Sequence, residues 1–274
     1  MPRRPRIGLV LSGGAARGIA HVGVLRALEE HTIPIDVIAG ASAGALVGGA
    51  YAAGVPVAQL EALARQLRWR QMGRMTVSRR GIQTNAPLED FLRRHLPVTR
   101  FEEMKIPFAA LATDLRLGTP VVLSGSGDVP RAIRASCCVP GWYVPVMNDD
   151  GRQLVDGGLV AGLPIRYARQ LGADLVIAVD VNAEGAKFID SPRTVVGVLV
   201  QAIVAVERIV TNQQSRDADL LIVPKVGHIR WDETRRAEEL LNAGYTAAIE
   251  SIEEIKQLAA PASCRESEVV LSSR

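Results

Sequence analysis

Twice within its first 55 residues this chain passes from an apolar run through a glycine-rich turn into a helix-spaced segment. The first run is Ile7-Gly8-Leu9-Val10-Leu11. It leads through Ser12-Gly13-Gly14-Ala15-Ala16-Arg17-Gly18 to Ile19, Val22, Leu25 and Leu28, which share one helical stripe. The second, residues 35–39, breaks into Gly40-Ala41-Ser42-Ala43-Gly44 and continues as a helix of small residues to position 53. Apolar runs that do not alternate with polar residues mark strands buried on both faces. When such strands alternate with helices, the result is a mostly parallel sheet covered by helices on either side. The rest of the chain repeats the pattern. Strands are expected at 108–112, 121–123, 175–181 and 220–223, and helices at 56–67, 84–96, 130–136, 194–214 and 233–258. The 274 residues show no internal repeat and no shift of composition, and 48% are hydrophobic. The expectation is one α/β domain over 1–258, with 259–274 a frayed C-terminal tail.

Composition removes several functions. A net charge of +3 is too weak for a dedicated nucleic-acid binder, and 4% aromatic residues leave little for base stacking. Of the three cysteines, Cys137 and Cys138 are adjacent, with Cα atoms about 3.8 Å apart, below the usual disulfide span. With Cys264 they read as free thiols in a reducing compartment. Arg3, Arg4 and Arg6 resemble the start of a signal peptide, but the apolar stretch after them is too short, so a cytoplasmic N-terminus is expected. The uncharged run 37–55 has the length of a membrane span. Its five glycines and many alanines suit a tightly packed strand, turn and helix better.

The chemistry concentrates in three places. Gly40-Ala41-Ser42-Ala43-Gly44 is a G-x-S-x-G between a strand and a helix, a context that thrusts the serine hydroxyl out at a helix N-terminus. A packing turn with a passive serine is the plainer reading. The loop 12–18 also follows a strand and opens a helix, so its backbone N–H groups can meet an anion. The spacing of Gly13, Gly14 and Gly18 fits neither a dinucleotide fingerprint nor a phosphate loop, whereas an oxyanion hole for acyl transfer fits. The third is Leu154-Val155-Asp156-Gly157-Gly158, a carboxylate expected on a sharp turn. The four histidines are His21, His31, His95 and His228, and only His228 follows Asp156, as a nucleophile–acid–His order demands. Three readings stay open: a serine activated by a carboxylate, a Ser-His-Asp esterase using His228, and a catalytically silent adaptor. Asp180, at the end of a strong strand, competes with Asp156; Asp114 reads as a turn cap. Residues 65–100 carry nine arginines with Trp69, Met72 and Met75, which reads as a solvated surface or as a lid attracting anionic headgroups.

These elements, in this order, resemble the patatin-like phospholipase family, nearest to its short bacterial branch related to the esterase domain of neuropathy target esterase. The segment Ala135-Ser136-Cys137-Cys138-Val139-Pro140-Gly141 with Val144-Pro145-Val146 resembles the stretch before the family's catalytic aspartate. The resemblance spans residues 6–225. It implies a three-layer α/β/α fold, no metal and no diffusible cofactor, and a lipid ester or phospholipid substrate. Peripheral contact with an anionic membrane surface would go with that substrate. It carries the nucleophile onto Ser42 and the base onto Asp156. The oxyanion donors fall on Gly13 and Gly14, with Arg17 and Gly18 closing the loop, and Gly40, Gly44, Gly157 and Gly158 are its motif glycines. Two departures stand out: Ser12 occupies the place of a first glycine, and Trp142-Tyr143 replaces an apolar-Phe pair.

Overall fold

The computed structural model describes residues 3–184 and 194–260. In chain order the elements are β1 (Ile7–Leu11), α1 (Ala20–Glu30), β2 (Val37–Ala41), α2 (Ala43–Ala52), α3 (Val57–Gln66), β3 (Arg74–Met75), β4 (Gly81–Thr84), α4 (Ala86–His95), β5 (Phe108–Asp114), β6 (Thr119–Ser124), α5 (Val129–Ser136), β7 (Gly141–Tyr143), β8 (Val146–Met147), β9 (Gln153–Asp156), α6 (Gly158–Ala161), α7 (Ile165–Gln170), β10 (Leu175–Val179), α8 (Val195–Gln214), β11 (Leu220–Ile222) and α9 (Ala237–Ala259). The main sheet has eight strands. β11, β10, β1, β2 and β5 lie side by side and parallel. β6, β9 and β8 add antiparallel pairs at the β5 end. The reversal at β6 follows from chain length: a link of a few residues can close a hairpin but cannot carry a parallel crossover. Asp114 caps that link, its Oδ1 accepting from the N–H groups of Arg116 and Leu117, which is the turn role read from the sequence.

The two faces of the sheet have separate cores. Leu9, Leu11, Ile38, Phe108 and Ile177 pack with α1, α2, α5 and α9. On the other face Val10, Ala39, Leu111 and Val176 pack against Leu163, Ile165 and Ala168 around α7. This is the three-layer α/β/α arrangement with a mostly parallel central sheet. The run 37–55 divides into β2, a turn and α2, and no helix among the described residues is long and apolar enough to cross a membrane.

The sequence reading missed the short strands β3, β4, β7, β8 and β9. They hold two to four residues each, too few to show a period. Asp156 is the last residue of a strand, with the sharp turn following at Gly157. The arginine-rich region forms the end of α3, the β3–β4 hairpin and α4, with β4 lying beside β7. Many of its arginines are occupied: Arg65 with Glu238, Arg93 with Glu89 and Asp128, Arg100 with Glu102. Residues 261–274, which include Cys264 and most of the expected tail, lie outside the described residues.

Candidate active site

Strand register alone brings Ser42 and Asp156 together. β2 runs parallel to β5, with Ala41 beside Leu111, and β9 runs antiparallel to β5, with Asp156 beside Ala112. β6 occupies the opposite edge of β5 over the same stretch, so β2 and β9 share one edge and meet there carboxyl end to carboxyl end. Residues 41 and 156 therefore stand beside consecutive residues of β5, and the next residue after 41 is the serine. Its Oγ donates to Asp156 Oδ2 at 2.8 Å.

The turn that presents Ser42 is strained. Its φ of 51° and ψ of −122° place a residue with a side chain in the left-handed half of the map, a conformation that costs on the order of 1–3 kcal/mol. Surrounding contacts impose it. A Cβ on Gly44 would strike the Leu11 carbonyl, so α2 begins hard against the end of β1, and Gly40 lies against Gly44 in turn. The Ser42 N–H donates to Ser136 Oγ at 2.9 Å, and Ser136 donates onward to the Leu111 carbonyl. The Cys137 thiol caps the Ser42 carbonyl. Burial pushes both the Cys137 and Cys138 thiols up, so they are small buried groups and not nucleophiles.

Asp156 is 1% exposed. Its N–H donates to the Cys138 carbonyl, and its own carbonyl accepts from Thr113 Oγ1 at 2.7 Å. The Gly158 N–H donates to Oδ1 at 2.9 Å. Burial pushes the carboxyl up to about 6, against the bonds from Gly158 and Ser42, which pull it down. A carboxylate so placed is a stronger base than one in water. Gly157 passes so close to the Leu111 carbonyl that no Cβ would fit.

The glycine loop flanks the serine. A Cβ on Gly13 would stand 3.3 Å from the Ser42 Cβ. The N–H groups of Gly13 and Gly14 donate to no acceptor among the described residues and are available to an anion. Gly18 abuts Ala43 at the start of α2. Arg17 is 3% exposed and turned away from the serine: Nε donates to the Ile229 carbonyl at 2.7 Å and Nη1 to Asn182 Oδ1 at 3.0 Å. Asn182 Nδ2 then donates to the Gly13 carbonyl at 2.9 Å. The guanidinium thus braces the loop from behind. His21, buried and pushed down to about 4 by that burial, holds the Ser12 carbonyl at 2.9 Å.

The competing residues lie elsewhere. Asp180 accepts from the Asn182 N–H at 2.8 Å, supporting the same loop. His228 pairs with Glu239 of α9 at 2.7 Å and is exposed. Sequence reasoning did not single out Asn182, nor Ser136 as a partner of Ser42; Asn182 had a signal in its place just past the end of a strong strand. It also missed Glu207 of α8, whose carboxyl reaches the back of Gly158.

The model of the family described as patatin-like phospholipase matches residues 9–169, more than half of the chain. The chain belongs to the patatin-like phospholipase family. An NTE family protein of Mycobacterium tuberculosis is 40% identical over 185 residues, 66% of this chain and 51% of that one. Lysophospholipase NTE1 of Mycosarcoma maydis is 38% identical over 183 residues, 65% of this chain and 10% of that one. This patatin-like chain therefore spans about half the length of the mycobacterial relative and a small part of the fungal one. Among solved structures, VipD from Legionella pneumophila superposes with a TM-score of 0.54 at 16% identity, over 92% of this chain and 68% of that one. The type III effector ExoU gives 0.51 at 15% identity, over 93% and 54%. At such identities the likeness is one of fold.

Proposed function

We propose that this patatin-like protein is a serine acyl hydrolase that cleaves carboxylic esters of lipids, of the phospholipase or lysophospholipase type. The observation that carries the proposal is the 2.8 Å bond from Ser42 Oγ to the buried Asp156 carboxylate, beside two glycine N–H groups that meet no acceptor among the described residues. The name of the fungal relative, a lysophospholipase, supports the substrate class. Ser42 attacks the ester carbonyl while Asp156 takes its proton, and the N–H groups of Gly13 and Gly14 hold the oxyanion. The bond to the alcohol or lysolipid breaks, and Asp156 returns its proton to that leaving oxygen. A water, deprotonated by Asp156, then attacks the acyl-enzyme; the acyl–Oγ bond breaks, the fatty acid leaves, and Asp156 returns the proton to Ser42 Oγ. His228, paired with Glu239, has no part in these steps. Incubation of purified protein with long-chain lysophosphatidylcholine and with p-nitrophenyl esters should release fatty acid and nitrophenol. Absence of turnover across acyl lengths would overturn the proposal.

Arg17→Ala should lower kcat by on the order of 10²-fold with little change in KM, because the brace through Asn182 to Gly13 holds oxyanion donors that act on the transition state. A change confined to KM would assign Arg17 to substrate binding instead.

We infer a cytoplasmic protein with peripheral membrane contact. The free thiols of Cys137 and Cys138 fit a reducing compartment. Arg70, Arg74, Arg79 and Arg80 are exposed and form no ion pair among the described residues, and Met75 and Val77 project beside them. Such a surface suits anionic headgroups. Binding to liposomes should rise with their anionic lipid content and fall with salt; indifference to both would return the segment to plain solvated surface.

A further inference from the structure

Helix α8 carries only two charged residues, Glu207 and Arg208. Arg208 is exposed. Glu207 is half-buried, on the same side as Ile203, Val204, Val210 and Thr211. Among the described residues no hydrogen bond or cation acts on its carboxyl. A carboxyl group in such surroundings costs free energy, and nothing in the packing of α8 requires one: leucine or glutamine would fill the place.

The position of that carboxyl is specific. α8 packs on α6, and Gly158 and Gly162, one helical turn apart, face Glu207 and Thr211, also one turn apart. A Cβ at residue 158 would stand 2.7 Å from Glu207 Oε1 and 3.2 Å from Asp156 Oδ1. At residue 162 it would strike Thr211 Oγ1. The second glycine of the Asp-Gly-Gly segment therefore makes room for the carboxyl of Glu207. The two acids both lie against that glycine.

We propose that Glu207 is a positioning residue of the catalytic pair, its carboxyl backing the Oδ1 side of Asp156 as Ser42 engages the Oδ2 side. The proposal rests on the Ser42–Asp156 reading above. Burial and the charge of Asp156 push the Glu207 carboxyl well up, so Asp156 ionises first and Glu207 keeps its proton. The protonated carboxyl is then a donor beside an anion. The ionisable groups on the other elements packed against α8 are Tyr143 of β7 and Arg216 and Asp217 in the turn after the helix. Cys137 and Cys138 approach Asp156 from the end of α5 as neutral thiols. Asp156 is the group whose charge acts on Glu207. Once Glu207 ionises at alkaline pH, a second negative charge stands behind a site that must build an oxyanion, and turnover falls.

Two variants and two measurements test this. Glu207→Leu removes the donor and should lower kcat roughly tenfold, with KM little changed. Glu207→Gln keeps a donor in the same shape and should recover most of that loss. It cannot ionise, so the alkaline limb of the kcat/KM profile present in the wild type should vanish. Infrared titration of buried carboxyl stretches needs no turnover. It should show one deprotonation fewer in Glu207→Gln than in the wild type, with the Asp156 step moved by its loss. Active variants whose pH profiles superimpose on the wild type would overturn the role of Glu207 and leave the function standing. So would a Glu207 carboxyl already ionised at neutral pH. Two coupled carboxyl steps in a protein that hydrolyses no ester would overturn the function instead, and keep the pairing of the two acids.

Discussion

Replacing Ser42 by alanine should reduce ester turnover by on the order of 10⁶-fold and leave the fold in place. The loss is large because no other residue can take over the attack. The Cys137 thiol is tied to the Ser42 carbonyl and held protonated by burial, and the Ser136 hydroxyl is engaged by the Ser42 N–H and the Leu111 carbonyl. The fold survives because alanine keeps the side-chain carbon that contacts the glycine loop and introduces no new backbone demand at a φ of 51°. What stability is lost comes from Asp156, which gives up one of its two donors; that costs about 1 kcal/mol, or a few degrees in Tm for a protein of this size. A fluorophosphonate probe should label Ser42 in the wild type and label nothing in the variant. Turnover that persists in Ser42→Ala, or labelling at a second serine, would move the nucleophile elsewhere.

The glycine loop, the serine turn and the Asp-Gly-Gly segment were legible in the sequence because each depends on residues that bend the chain in a distinctive way. The parallel strands were legible as uninterrupted apolar runs such as Leu175 to Val179. Other features were settled only in space. Nothing in Gln153-Leu154-Val155-Asp156 announces that this four-residue strand ends against the carboxyl end of β2, since that depends on which edge of β5 is left free. The choice between Asp156, Asp180 and His228 could not be made from chain order either. The proposed choice rests on hydrogen bonds: Asp156 meets Ser42, Asp180 supports the loop at Asn182, and His228 pairs with Glu239. Gly158 leaves room on two sides, for the Asp156 carboxylate and for the carboxyl of Glu207, and the second neighbour was not read from the sequence. A lone acid on the inner stripe of a helix was the available signal, hidden because the outer stripe of α8 is almost as apolar as the inner one.

Asp156→Asn should remove nearly all turnover and at the same time raise Tm. The first effect follows because an amide accepts no proton at neutral pH, so the Ser42 hydroxyl stays a weak nucleophile even with its position kept. His228→Ala and Asp180→Asn should each retain most activity, since neither side chain touches Ser42. In the wild type kcat/KM should fall below about pH 6 as Asp156 takes up a proton. The stability effect has the opposite sign because burial raises this carboxyl from 3.8 in the unfolded chain to about 6 in the folded protein. Above pH 6 the ionised group therefore costs the folded state free energy; between about 6 and 4 the folded protein binds the proton more tightly and recovers it; below that the cost is gone. Asparagine never carries the charge, so its advantage in Tm should be full at pH 7–8 and fade as the pH drops through that window. Thermal unfolding of the two proteins at pH 8 and pH 4, beside their rates on one ester, measures both effects. A variant that loses activity and is also less stable at pH 8 would mean that Asp156 is held in a polar, solvated environment, and the argument from its buried basicity would fail.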